Sequence, residues 1–307
     1  MSKWVKKGLV IKPEDHKLDW WKSFGMDPTA ICLKGDIYRV FFCGRNKKNI
    51  SLIGFADIDL KNPYKILKIS KRPVLKTGKL GSFDDNGVTA SCVIKRENKF
   101  FLYYIGWKPR STTRYSLMTG LAISKNNGLS FKRFSKAPIL NLTDREPYSI
   151  LTAPYVLKIS KNKWYMWYVS CEKWINPDFP KYNIKLATSK DGIKWNQNGL
   201  ISIKLKKNER AVARPTVKKD NGIYKMWYCF EQKVYGYKIG YAESKNGITW
   251  IRKDHLAGIK KGKKGDWDGQ MIAYPYVVMH KGKKYMFYNG NSYGKEGVGI
   301  AVMENAS

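Results

Sequence analysis

Five places in this chain of 307 residues carry acidic side chains at matching points of a repeated pattern. They are Asp27 in Gly25-Met26-Asp27-Pro28, Asp84 and Asp85 in Phe83-Asp84-Asp85-Asn86-Gly87, Glu146 beside Arg145, Glu209 beside Arg210, and Asp266 and Asp268 around Trp267. Paired carboxyl groups suit sugar chemistry: one, its pKa raised, protonates the leaving oxygen while the other acts as base or nucleophile. Trp107, Trp174 and Trp267 have the shape to stack on a pyranose, a residue type that packing between sheets also uses. Arg145 and Arg214 have the fork to hold a carboxylate or phosphate, or else neutralise neighbouring acids and set their pKa values. Other chemistries are poorly served. His16, His255 and His280 lie outside this set and lack metal-ligand spacing, and no Ser/His/Asp arrangement, P-loop or dinucleotide fingerprint occurs.

The elements that hold these residues repeat five times. Ala30, Ala90, Ala153, Arg214 and Tyr274, taken as one column of first strands, are separated by steps of 60, 63, 61 and 60 residues. The partner strands agree: Val40-Phe41-Phe42, Leu102-Tyr103-Tyr104, Met166-Trp167-Tyr168, Met226-Trp227-Tyr228 and Met286-Phe287-Tyr288. A fixed period of this kind signals a repeat architecture, and Asn221-Gly222 between two such runs is a hairpin turn. Third strands follow, three of them leading into turns such as Ser189-Lys190-Asp191-Gly192 whose closing aromatic (Phe131, Trp195 or Trp250) caps the unit. Fourth strands are expected at Lys71–Leu75 and Ala137–Leu140. The fifth unit has none, and Trp4–Val10, which matches Trp195–Ile201, is expected to complete it and remove an open edge. These expectations make an all-β, five-bladed β-propeller of four strands per blade, a single domain over 1–307.

In such a ring the start of each first strand and the end of each second strand meet at the same end of the axis. That filter adds Arg45, Trp107, Glu172, Glu231, Asn289 and Asn291 to the acids and to Arg214. Oxygen ligands also leave room for an axial divalent cation among Asp85, Glu146 and Asp268.

Composition narrows the partners. With 43% hydrophobic and 14% aromatic residues the chain can bury a sizeable core. Five cysteines, an odd number without a CxxC, fit free thiols in a reducing cytoplasm, and no stretch is long and apolar enough to span a membrane. The 58 Lys and Arg against 24 Asp and Glu give a net charge of +34. The lysines are dispersed apart from Lys260-Lys261-Gly262-Lys263-Lys264, and no recognition helix is present. The charge leaves a phosphorylated or acidic small substrate open and argues against nucleic acid; with the paired carboxylates, the expected partner is a carbohydrate, anionic or phosphorylated forms included.

The repeated units, Asp27-Pro28 and the later inner-strand carboxylates resemble the five-bladed glycosidase superfamily of arabinanases and β-xylosidases, invertases and levansucrases, and mannoside phosphorylases. Arg214-Pro215-Thr216-Val217, Tyr237–Ser244, Trp267-Asp268 and Tyr285–Asn291 are similar to propellers found with surface-polysaccharide biosynthesis genes. The resemblance implies a base or nucleophile at Asp27, a supporting carboxylate at Asp85, and an acid at Glu146 or Glu209. Substrate contacts would come from Arg45, Trp107, Arg145, Glu172, Arg214, Glu231, Asp268 and Asn291. It implies a hydrolase, phosphorylase or transglycosylase. A noncatalytic glycan-binding propeller, or a transferase acting on a nucleotide sugar or phospho-sugar, fits the same residues.

Overall fold

A computed structural model describes residues 3–232 and 236–304; the two first and three last residues of the expected domain lie outside this range. The described chain is built of four-stranded antiparallel units joined in sequence. Their first strands are Ser23–Lys34, Val88–Arg96, Ile150–Ser160, Glu209–Asp220 and Ala273–His280. Each first strand touches the next, and the fifth touches the first, so the inner strands close in a cycle. Second and third strands pair outward from these in every unit. Among the described residues no helix is long and apolar enough to cross a membrane.

Short-range chemistry sets the hairpins. Asn221 and Gly222 both have positive φ, 50° and 79°, as the two-residue turn between Asp220 and Ile223 requires. The three turns after the third strands are tied by their own side chains: Asp191 Oδ1 accepts from the amides of Ile193 and Lys194 at 2.8 and 2.9 Å, and Asn246 does the same for Ile248 and Thr249. The aromatic that closes each turn packs edge-on against the second strand of the preceding unit. Phe131 meets Phe41, Trp195 meets Tyr103 and Trp250 meets Trp167, at centroid separations of 5.4, 6.3 and 5.9 Å.

The N-terminal strand, Lys3–Ile11, pairs antiparallel with Val298–Glu304 and is the fourth strand of the fifth unit. Its equivalence to Asn196–Ile203 extends to detail. Both bulge beside a left-handed glycine, Gly8 or Gly199, and Trp4 meets Trp227 edge-on at 6.0 Å as Trp195 meets Tyr103. Two outer strands fall elsewhere than expected. The fourth strand of the first unit is Asn62–Ile69, and that of the second is only Lys132–Arg133. Around Pro73 and Pro138 the chain makes only isolated backbone contacts, Val74 and Leu75 with Ile53 and Ile139 with Thr119, because proline has no amide proton for a ladder.

The join between the fifth and first units is made by buried Asn289. Its Oδ1 accepts the Asp27 amide at 3.0 Å, while its Nδ2 donates to the carbonyls of Gly25 and Gly297 at 2.6 and 2.7 Å. At the other end of the same strands Asp36 takes His280 and Lys281 at 2.5 and 2.7 Å.

Candidate active site

Four of the five first strands carry a β-bulge at an X-Pro pair: Asp27-Pro28, Ala153-Pro154, Arg214-Pro215 and Tyr274-Pro275. The residue before each proline is left-handed, with φ of 56°, 47°, 53° and 55°. Such backbone is uncommon outside glycine and costs free energy, so its repetition marks a position the fold imposes. In the second unit the extra residue is Ser91. The structural equivalent of Arg214 in the first unit is therefore Asp27, three residues before the Ala30 assigned from the repeat.

These bulges meet at the centre of the cycle. Arg214 reaches across it: its Nε lies 3.3 Å from Asp27 Oδ1, and its Nη1 donates to Ala90 O and Ser91 Oγ at 3.0 and 2.8 Å. Of the five bulge residues that meet at the centre, Asp27 is the one that carries a carboxylate. Burial pushes its carboxyl above the usual carboxylate range, and the nearby Arg214, Thr89 and Arg45 oppose that shift without cancelling it. Arg45 stacks over Phe24, 4.2 Å from the ring centre. Its Nε and the Trp107 indole nitrogen are buried and have no hydrogen-bond partner among the described residues. Buried polar atoms are nearly always bonded, so these two are candidates for ligand contact.

A tyrosine wall continues from Arg214. Tyr274 stacks with Tyr293 at 6.3 Å, both approach Tyr237 at 6.0 Å, and the Tyr237 and Tyr182 hydroxyls lie 2.6 Å apart. Arg210 sits beyond them over Tyr182, paired with buried Glu231. Tyr293 and Ser292 are again left-handed, at 63° and 51°. Burial pushes the Cys229 thiol up to about 12. Trp107, Tyr115 and Trp174 form an edge-to-face run at 5.5 and 5.8 Å.

The remaining acids do not converge. Opposite the bulges in units two to five stand Tyr104, Tyr168, Tyr228 and Tyr288, and each hydroxyl bonds a carboxylate within its own unit. Tyr104 takes Asp84 at 2.8 Å, Tyr168 takes Glu146 at 2.7 Å and Tyr288 takes Asp268 at 3.0 Å. A cation from an outer strand completes each clasp: Arg133 on Asp84 at 2.7 Å, Lys185 on Glu146 at 3.3 Å and Lys6 on Asp268 at 2.6 Å. In unit four the clasp is longer. Tyr228 bonds Asp254, and Arg252 bridges Asp254 to Glu209, meeting both Glu209 oxygens at 2.7 Å. The repetition of acids therefore serves the units: a carboxylate buried against each second strand needs a hydroxyl and a cation to offset its desolvation.

Other candidates are also held locally. Asp85 accepts from the Gly81 amide at 2.8 Å and pairs with Lys108 at 3.3 Å. Arg145 donates to Asn198 O at 3.0 Å, exposed Glu172 is bonded by Asn183, and Asn291 accepts from the Gln270 amide at 2.8 Å. With Asp85, Glu146 and Asp268 in separate units, the axial cation site has no ligand set, and no group of three metal-ligating side chains occurs among the described residues. Four of the five cysteines are buried, and all five are free. Replacing Glu146 by Gln is expected to cost about 3–5 kcal/mol, since it leaves Lys185 buried without its counter-charge. Urea unfolding measures that loss, and ligand affinity should not change with it.

No protein-family model matches the chain. It is 36% identical over 304 residues to the uncharacterized protein Rv1502 of Mycobacterium tuberculosis, covering 98% of this chain and 99% of that one. A β-1,2-mannobiose phosphorylase of Thermoanaerobacter sp. is 24% identical over 147 residues, 45% of this chain and 47% of the other. Among solved structures, a glycoside hydrolase superposes with a TM-score of 0.75 at 19% identity, covering 98% of this chain and 92% of its own. A structure of the family-130 mannoside phosphorylases, a group containing hydrolases that target β-1,2-mannosidic linkages in Candida mannan, gives 0.71 at 15% identity, covering 98% and 93%. A thermostable family-43 glycoside hydrolase gives 0.67 at 17% identity over 92% and 89%. The fold is thus the one found in propeller glycoside hydrolases.

Proposed function

Because the chain belongs to the same family as the Mycobacterium tuberculosis protein Rv1502, matched over nearly its whole length, we propose one function for one domain: glycosyl transfer at the centre of a five-bladed β-propeller. The observation that carries this reading is a single buried carboxyl, Asp27, fixed on a left-handed bulge against Arg214 and beside a wall of tyrosines. A carboxyl raised by burial is suited to give a proton to a departing sugar oxygen. The nucleophile then decides the reaction. Phosphate arrives already charged and needs no base, and the guanidinium groups of Arg45, Arg210 and Arg214 would bind it or a phosphorylated sugar. Phosphorolysis, or its reverse, is the reading these residues favour, and the phosphorylase relative agrees with it.

Hydrolysis is the second reading. It requires a base for water, and the candidate is Glu231, buried and paired with Arg210 beside the tyrosine wall. The two separate cleanly. Glu231→Gln abolishes hydrolysis but leaves most of the phosphate-dependent turnover.

A thermal-shift screen over neutral glycans, acidic glycans, inorganic phosphate and nucleotide sugars tests the proposal, since any ligand of the folded state raises Tm. Phosphate together with a neutral oligosaccharide should stabilise more than either alone. No shift with any saccharide contradicts the reading. The pH profile adds a sign. Asp27 acts protonated, so turnover should fall as pH rises through its raised pKa. Arg214→Gln removes the charge that opposes the rise, so this alkaline limb should move to higher pH.

A further inference from the structure

One cavity of the molecule is lined by none of the residues grouped around Asp27. It is an open groove of about 750 Å³ on the outer face of unit two, bordered by Ile193 of unit three. Its walls are the turn between the first and second strands, at Arg96 and Lys99, and the turn after the third strand, at Lys125 to Ser130. Both turns lie at the opposite end of the strands from the bulge residues. The two-residue fourth strand of unit two, Lys132–Arg133, pairs with Ile123 and Ala122 along one side of the groove.

Its lining has two layers. Phe101, Ile123, Phe131 and Ile193 form an apolar floor, with Phe134 at the margin 49% exposed. Around them stand five cations against one acid, Glu97. Two of the cations are anchored: Arg96 donates to Asp191 O at 2.7 Å and lies over the Phe101 and Trp164 rings, and Arg133 is fixed to Asp84. The exposed Lys99, Lys125 and Lys132 have no ion-pair partner among the described residues. An unpaired cationic rim over a concave aromatic floor, of a volume typical of ligand sites, matches a ligand that is anionic along its edge and apolar on its faces.

We propose that this groove is a second binding site, independent of the central one, for a segment of acidic polysaccharide. Sugar ring faces would lie on the phenyl floor, and carboxylate, sulfate or phosphate groups would meet the lysines. The site does not depend on the central reaction and would anchor a polymer whichever chemistry the centre performs.

Titration with a linear hexagalacturonate, beside a neutral hexasaccharide and a single-stranded oligonucleotide of equal charge, tests this. The uronate should bind with an affinity that falls with salt, and at least tenfold more tightly than either control. Lys99→Glu/Lys125→Glu/Lys132→Glu should weaken it at least tenfold, and Phe134→Ala about threefold without any change of charge. Reversing Lys260, Lys261 and Lys263, a cluster elsewhere on the surface, should leave affinity within twofold, as should Asp27→Asn. Equal loss from the Lys260 cluster, equal binding of the oligonucleotide, or an unaffected triple variant would each overturn the proposal. Because Asp27→Asn retains uronate binding, failure of the central reading and failure of this one are distinguishable.

Discussion

Asp27→Asn is expected to lower kcat/KM for glycosyl transfer by about 100- to 10,000-fold, the range over which a general acid contributes. The substitution keeps the side-chain shape and the Asn289 contact to the backbone amide, so the fold should persist. Its effect on stability has a defined pH dependence. The folded-state pKa of Asp27 is raised by burial, so the folded protein holds this proton more tightly than the unfolded chain does. Below the ordinary carboxylate range the two proteins should melt alike apart from a constant offset. As pH rises through the raised pKa, wild type loses stability that the variant, with no proton to release there, keeps. The Tm difference should therefore move in favour of the variant. Melting curves across pH 3–8 would read that trend, an interval set around the ordinary and raised carboxyl values. A difference that moves the other way would mean that Arg214, and not burial, dominates the environment of Asp27.

Asn289→Ala should be the most destabilising single change near the centre. The side chain is fully buried and satisfies three backbone groups at the join of the last and first units. Each group left unpaired costs about 1–3 kcal/mol, so the total loss should be several kcal/mol in urea unfolding. One of the three is the amide of Asp27 itself, which couples ring closure to the candidate site. At temperatures where the variant remains folded, kcat should therefore fall as well. A stability loss with kcat unchanged would show that Asp27 is positioned by its bulge alone.

Much of this arrangement is legible in the sequence. The period, the Asn-Gly hairpin and the match of Trp4–Val10 to Trp195–Ile201 are local patterns, and the structure reproduces the pairing that each implies. What the repeat obscured was register. Ala30 aligns with Ala90 by residue type, yet the bulge places Asp27 in that column. Proline inside a central strand is confined to bulges, so Pro28, Pro154, Pro215 and Pro275 were the signal that would have set it.

The acids were misleading for a different reason. Their repetition is real, but Tyr104, Tyr168 and Tyr288 show that it belongs to the packing of each unit. Only three-dimensional pairing separates a carboxylate bound by tyrosine and lysine from one facing a ligand. The tyrosine wall has no local pattern in the sequence because its members come from different strands. Tyr182 and Tyr237 do share a position, four residues before Leu186 and Tyr241 in their third strands, whereas Tyr274 and Tyr293 have no such partner.

The most direct test of the central claim is to find which carboxyl group stands at the departing glycosidic oxygen. A glycoside bearing an epoxide on its aglycone esterifies a carboxyl group within reach of the reacting bond, and peptide mapping identifies that group. The account predicts an ester on Asp27, suppressed by competing oligosaccharide and absent in Asp27→Asn. Labelling of Glu146, Glu209 or Asp268 instead, with Asp27 unmodified, would contradict it.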